Sequence, residues 1–268
     1  MNLHGKVVVV TGGGSGIGEA LVRRIAVEEP RLIVVSDIDG AAAVALASEL
    51  GDTVRGLQGD AASETDLREA FAVAQEAGPV DVFFANAGVA AGTDEQTPDE
   101  IWDLSFEVNI RAHILAARLL LPGWLERGEG CFVSTASAAG LLTQLGCAPY
   151  AVTKHAAVAF AEWLAIHYGD RGVQVACICP QGVNTAMTRP SQDGRGLTGL
   201  ALDVLHAAGD LFEPAQVAEA VVQGLAEDRF LILPHPEVAD YLQRKAADED
   251  RWIGGMRKLR RGLVDAGS

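Results

Sequence analysis

Basic residues are scarce in this chain: 21 lysines and arginines stand against 36 aspartates and glutamates, for a net charge of −15. Grip on a phosphate backbone needs dense positive charge, and no long basic stripe supplies it, so nucleic acid is not an expected partner. Even Arg257-Lys258-Leu259-Arg260-Arg261 reads as the solvated face of a helix. Cysteine is thin as well. Cys131, Cys147, Cys177 and Cys179 lack paired Cys-x-x-Cys spacing and lie in or near apolar runs, which predicts reduced, buried thiols and no metal site. Cys177 and Cys179 flank Ile178, so on a strand they share one side. His155 is turned about 100° from Lys154 on a helix and reads as packing or surface. No apolar run approaches the roughly eighteen residues of a membrane span, and no positively charged leader precedes the first strand, so a soluble, cytoplasmic protein with no membrane partner is expected. Linkers and repeats are missing too; the alanine-rich stretch 41–47 is simply a good helix former. With 49% hydrophobic residues over 268 positions, one core suffices, and 1–268 reads as a single domain.

What is present is alternation. Short apolar runs at 7–10, 32–35, 54–57, 80–84, 131–133, 173–178 and 230–233 predict seven strands, and the segments between them carry helical patterns. Strands alternating with helices give an α/β fold, a doubly wound parallel sheet flanked by helices on both faces. One helix start is well marked: Thr97-Pro98-Asp99-Glu100 offers a capping hydroxyl, a proline at the first helical position and a carboxylate three residues after the cap. That helix is expected to run toward Leu121 and to carry Asn109. Right-handed crossovers bring the turns after strands one, two and four to one edge of the sheet.

Those turns hold the informative residues. Thr11-Gly12-Gly13-Gly14-Ser15-Gly16-Ile17-Gly18 follows the first strand and opens a helix, so backbone N–H groups can approach a diphosphate that the helix N-terminus attracts. No Gly-Lys-Ser/Thr follows, which excludes a Walker-type loop. Asp37 closes the second strand, nineteen residues beyond Gly18, where a carboxylate can accept both ribose hydroxyls of NAD and meets a 2′-phosphate at like charge. Farther on, Tyr150 and Lys154 sit at i and i+4 on one helix face, about 6 Å apart along the axis, with Ser137 thirteen residues before the tyrosine. A neighbouring positive charge favours the phenolate, so Lys154 is expected to lower the Tyr150 pKa from about 10 toward a useful range for acid/base work.

Taken together, these residues resemble the short-chain dehydrogenase/reductase family over most of the chain, from about residue 5 to about residue 234. The likeness rests on the glycine turn, Asp60-Ala61 after the third strand, Asn86-Ala87-Gly88 after the fourth, Asn109, Ser137, and Tyr150 with Lys154. One departure stands in Pro180-Gln181-Gly182-Val183-Asn184-Thr185: Gln181 occupies the place of the family's glycine, while Thr185 keeps its register. The resemblance implies a single Rossmann-type domain holding NAD, with the diphosphate on Gly12, Gly14, Ser15, Gly16, Ile17 and Gly18, and the ribose on Asp37. The adenine lies near Asp60 and Ala61, and Asn86, Ala87, Gly88, Pro180, Val183 and Thr185 complete the cofactor contacts. Tyr150 and Lys154 are then shared between cofactor and chemistry. Tyr150 takes the alcohol proton, Lys154 holds the nicotinamide ribose, Ser137 bonds the substrate oxygen, and Asn109 holds a relay water.

An NAD-dependent oxidoreductase acting on a secondary alcohol or ketone is therefore expected. A same-fold lyase or epimerase with bound NAD, or a non-catalytic nucleotide-sensing regulator, stays open beside it. Ala138, Ala139, Leu141 and Leu142 follow Ser137 and predict a largely apolar substrate pocket. The insertion at about 187–212 is polar and glycine-rich through 189–196 and then apolar, a mobile loop and short amphipathic helix expected to cover the substrate. In the tail at about 236–268, Trp252, Ile253, Met256 and Leu259 form an apolar stripe. Trp102, Phe106, Leu115, Phe160, Trp163 and Leu164 exceed what one face against the sheet needs, which points to a homotetramer or homodimer.

Overall fold

A computed structural model describes residues 1–188 and 196–267. Seven parallel strands form one sheet in the order β3-β2-β1-β4-β5-β6-β7: β1 (Val7–Thr11), β2 (Leu32–Asp37), β3 (Val54–Gln58), β4 (Val82–Ala85), β5 (Gly130–Thr135), β6 (Val173–Ile178) and β7 (Leu231–Ile232). β1 is four valines and a threonine, all buried, because it has a strand on each side and helices on both faces. Its register aligns Val8 with Ile33 of β2 and Val82 of β4. The strand order reverses between β1 and β4, which opens a crevice at the carboxyl ends where such sheets hold ligands.

Two apolar layers clamp the sheet. On one face α1 (Gly16–Ala26), α2 (Gly40–Leu50) and α9 (Pro214–Ala226) bring Leu21, Ile25 and Val221 onto Val8, Val10 and Phe84. Opposite lie α3 (Glu64–Gln75), α5 (Ala112–Arg127) and α7 (Ala148–Tyr168), whose Leu67, Leu120 and Leu164 cover Val7, Val9 and Phe132. Full burial of each such side chain contributes about 1.5–3 kcal/mol. All four cysteines are free and buried, and the Cys177 and Cys179 thiols lie 3.8 Å apart on the same face of the chain.

Several local expectations change. Thr97 does not cap a helix: its hydroxyl accepts the N–H groups of Thr93 and Asp94, tying off the preceding loop, and α4 (Asp99–Phe106) begins after Pro98. The helical run continues past Leu121 to Arg127, and a π-helical turn at Glu107–Arg111 joins α4 to α5 with Asn109 inside it. Of the supposed surplus apolar groups, Leu115 and Leu164 are core and Phe160 packs on Phe132; Phe106 and Trp163 remain exposed. In the tail, α10 (Glu237–Ala247) and α11 (Glu249–Gly267) follow β7. Val238, Tyr241 and Trp252 pack there on Leu141 and Leu142, whereas Ile253 and Leu259 are exposed, so the stripe docks only in part. Among the described residues no helix is long and apolar enough to cross a membrane.

Candidate active site

The carboxyl ends of β1 to β6 converge on one cavity of about 650 Å³. Gly12, Ser15, Gly16, Ile17 and Gly18 line it from the first turn. Gly12 has φ +61°, and a Cβ there would stand 2.8 Å from the Ala87 Cα; a Cβ on Gly18 would stand 2.0 Å from the Gly12 carbonyl oxygen. Only glycine lets this turn fold so closely beneath α1. Gly14 does not line the cavity. Its N–H donates to Asp37 Oδ2 at 2.8 Å while the Asp39 N–H donates to Oδ1 at 2.9 Å, so two peptide groups fix the carboxylate at the rim. Asp39 itself caps α2 through Ala42.

Asp60, Ala61, Asn86, Ala87 and Gly88 continue the wall. The Asn86 amide donates to the carbonyls of Thr11 and Gly12 at 3.1 and 3.0 Å, and Thr135 donates to its oxygen, so Asn86 braces the glycine turn. Pro180, Val183 and Thr185 close the far side. The residues suit a dinucleotide: a glycine turn at a helix N-terminus for diphosphate and a fixed carboxylate for ribose.

Ser137, Tyr150 and Lys154 meet deep in this cavity. Each is nearly buried, at 6%, 8% and 2% exposure. The Lys154 ammonium donates to the Thr135 carbonyl at 2.7 Å and lies 5.7 Å from the Tyr150 ring centre. Burial pushes the Tyr150 phenol up to about 12, against a lowering hydrogen bond with Ser137, and pushes the Lys154 ammonium down to about 8. The expected lowering of the phenol by Lys154 is therefore reversed: desolvation disfavours both charges and outweighs their proximity.

Asn109 is wholly buried and does not line the cavity. Its Oδ1 accepts the Val89 N–H, while its Nδ2 donates to the Val89 carbonyl and to Thr153 Oγ1, all at 2.9–3.0 Å. The side chain is committed to clamping the β4 loop onto α7. A Cβ on Gly88 would stand 3.3 Å from both Asn109 Oδ1 and Lys154 Nζ, so the clamp borders the lysine.

The end of the cavity beyond Ser137 is largely apolar. Ala138 and Ala139 line it as expected, but Leu141 and Leu142 do not: on α6 (Ala139–Leu142) they turn away toward α10 and α11. Met187, Leu197 and Leu205 take their place, with Leu205 on α8 (Leu200–Ala207) packed in one cluster with Cys147 and Tyr150. The polar part of the expected loop, 189–195, lies outside the described residues. Leu104, Val108 and Gln144 also line the cavity without having been expected; for the first two, i and i+4 spacing on the helix of Asn109 was the available signal.

Behind the site sits His113, one helical turn after Asn109. Its Nδ1 meets the Ser134 hydroxyl at 3.1 Å and its Nε2 has no partner. Burial, with the Lys154 charge, pushes its pKa down to about 3. Because the folded value lies below the unfolded one, its contribution is complete above about pH 6.5 and is lost as pH falls toward 3. His113→Leu is expected to flatten that slope: between pH 6.5 and 5 the wild type should lose about 2 kcal/mol more than the variant, at about 1.4 kcal/mol per unit. Denaturant titrations at the two pH values check this.

Residues 6–196 match the family model described as short chain dehydrogenase. A 1-deoxy-11-beta-hydroxypentalenate dehydrogenase of Streptomyces exfoliatus is 35% identical over 263 residues, covering 94% of this chain and 91% of that protein. A cis-1,2-dihydrobenzene-1,2-diol dehydrogenase of Pseudomonas putida is 36% identical over 209 residues, 75% of this chain and 73% of the relative. Among solved structures, a short chain dehydrogenase/reductase from Burkholderia phymatum in complex with NAD superposes with a TM-score of 0.82 at 29% identity, covering 93% of this chain and 96% of that one.

Proposed function

The chain belongs to the short-chain dehydrogenase family, and from that premise we propose that it is an NAD(H)-dependent oxidoreductase interconverting a secondary alcohol and a ketone on a largely apolar substrate. The observation that carries the reading is the convergence of Ser137, Tyr150 and Lys154 on the cavity that the glycine turn and Asp37 also border. NAD+ bound there supplies the hydride acceptor and a positively charged ring. The turn of Gly12 to Gly18 faces the diphosphate, with Gly14 acting through Asp37, and Asp37 faces the ribose hydroxyls. Asp60 and Ala61 border the adenine, and Pro180, Val183 and Thr185 border the nicotinamide. Lys154, its ammonium pushed down to about 8 by burial, holds the second ribose beside the phenol. Tyr150 exchanges the substrate proton, and Ser137 bonds the substrate oxygen as its charge changes. Asn109 acts through structure, keeping the loop after β4 against α7.

Two features speak against the lyase or epimerase and the regulator: the spacing from Thr11 to Gly18 is not Gly-x-x-Gly-x-x-Gly, and both Tyr150 and Lys154 are present. NADH formation from NAD+ across a panel of secondary alcohols, steroids and sugars tests the reading. Turnover of at least one is expected; none, with no binding of NADH, would sink it. The insertion, with α8 over Tyr150, is proposed to cover the substrate, and the whole chain to work as one domain.

Assembly is proposed as well. Phe106 on α4 and Val152, Trp163 and Ile166 on α7 are 41–74% exposed, more apolar surface than solvent favours. A closed dimer or tetramer through α5 and α7 would cover much of it and buttress the helix that carries Tyr150. Light scattering at micromolar concentration should show two or four chains; a fully active monomer would refute this.

A further inference from the structure

One imidazole holds two peptide groups of the segment that follows β6. His235, 2% exposed, stands in the turn between β7 and α10 and does not line the cavity. Its Nδ1 accepts the Gln181 N–H at 3.1 Å, and its Nε2 donates to the Gly182 carbonyl at 3.1 Å. Accepting on one nitrogen and donating on the other defines the neutral Nε2–H tautomer. The ring also stacks on Phe212, with centres 3.9 Å apart and planes 27° from parallel.

Each of those peptide groups is engaged on its far side by a different part of the site. The carbonyl of the Pro180–Gln181 peptide accepts the Ala138 N–H at 2.8 Å and the Ser137 hydroxyl at 3.4 Å, so a single planar unit separates the imidazole from the serine. The Gly182 carbonyl takes a second donor, the Phe212 N–H at 2.9 Å, and the Asn184 N–H returns to the Phe212 carbonyl at 2.8 Å. Val183 and Phe212 thereby pair as a short parallel bridge. Gly182 is also where the wall rests. A Cβ there would stand 2.6 Å from Leu211 Cδ2 and 3.0 Å from Leu205 Cδ2, so these leucines pack directly on its backbone. Leu205 lines the cavity in one cluster with Cys147 and Tyr150. His235 is thus bonded, outside the cavity, to the two segments whose relative placement shapes it.

We propose that His235 is a positioning residue that sets the apolar wall of Leu205 in register with Ser137, and that it thereby determines the preference for alcohols on a bulky apolar frame over small ones. The inference rests on the oxidoreductase reading above. A small alcohol needs Ser137, Tyr150 and the nicotinamide alone, whereas a ring alcohol also draws binding from the wall, so displacement of the wall is felt by the second and spares the first.

The test compares kcat/KM for 1-indanol and 2-propanol on one preparation, so that the ratio is independent of the fraction folded. Wild type is expected to favour the ring alcohol by about a hundredfold or more, since each methylene in an apolar pocket counts about tenfold or more. His235→Phe keeps a ring on Phe212 but loses both hydrogen bonds, and should cut that ratio by about tenfold, through a higher KM for 1-indanol with kcat little changed. The dissociation constant of NADH, measured by titration, should stay close to wild type. His235→Gln, with one donor and one acceptor, should restore part of the ratio. Phe212→Leu removes the stack from the other side and should narrow the ratio as well, and the double variant should lose less than the sum of the two, because both act through one contact. If His235→Phe yields no soluble protein, His235→Gln and Phe212→Leu carry the same readout. A ratio unchanged in these variants, or equal losses for both alcohols, overturns the proposal; equal losses leave His235 as a stabiliser of the fold alone. Turnover of no alcohol in the wider panel by the wild type overturns the oxidoreductase reading instead and the inference with it.

Discussion

Replacing Tyr150 by phenylalanine is expected to lower kcat/KM by about 10²–10⁴-fold, the share of a rate that one positioned acid/base supplies. The variant removes a single oxygen from a side chain that is 8% exposed, so its ring still fills the cluster of Cys147, Leu197 and Leu205. Packing and cofactor binding should therefore stay close to wild type, and titration of NADH into both proteins should give dissociation constants within about twofold, since Phe keeps the shape. The height of the phenol pKa sharpens the expectation. At about 12 the group is a proton donor through the neutral range, which suits ketone reduction, whereas alcohol oxidation needs the phenolate. Oxidation by the wild type should accordingly climb with pH on the alkaline side, as the phenolate fraction grows. Steady-state absorbance assays in both directions decide the matter. If the phenylalanine variant keeps more than about a tenth of the activity, outside the range a general acid/base contributes, Tyr150 is not the proton-transfer group.

Much of this site was legible because its signals are local. A strand followed by Thr11 to Gly18 and a helix fixes where the turn must be, and the fourfold spacing of Tyr150 and Lys154 fixes that they share a helix face. The sheet was legible for a similar reason: four consecutive valines can be buried on both faces only in the middle of a parallel sheet. What escaped depends on contacts between distant segments. Leu141 and Leu142 stand close to Ser137 in sequence, yet on a helix of four residues each step turns about 100°, and packing with α10 and α11 decided which way they face. The Asn109 amide is saturated because the loop after β4 offers Val89 on both its N–H and C=O, which no spacing announces. The sign of the Tyr150 shift was missed because proximity to Lys154 is readable in sequence, whereas desolvation depends on how α8 and Cys147 close over the ring. His113 and His235 are held by partners 21 and 54 residues away, the β5 serine and the loop after β6.

Cofactor choice should follow from Asp37. The wild type is expected to prefer NAD(H) over NADP(H) by more than tenfold in kcat/KM. The carboxylate stands at the end of β2 with each oxygen already held by a peptide N–H, from Gly14 and from Asp39, so it cannot swing aside to admit a second anion. At about 4 Å and an effective dielectric near 20, a unit charge on a 2′-phosphate meets it at about 4 kcal/mol. Half of that still exceeds a tenfold discrimination. Asp37→Ala removes the repulsion and the ribose hydrogen bonds together, so KM for NAD should rise while KM for NADP falls, and the ratio should narrow to within a fewfold. The Gly14 N–H loses its acceptor in the same variant, which loosens the glycine turn and adds to the loss with NAD but not to any gain with NADP. Asp37→Asn separates the two contributions: it keeps an acceptor for the ribose and discards the charge, so it should recover NADP use with less damage to NAD. Steady-state kinetics with both cofactors for the three proteins measures each step. A wild type that prefers NADP(H) would mean that the 2′-position lies away from Asp37 and that the rim carboxylate serves only the turn.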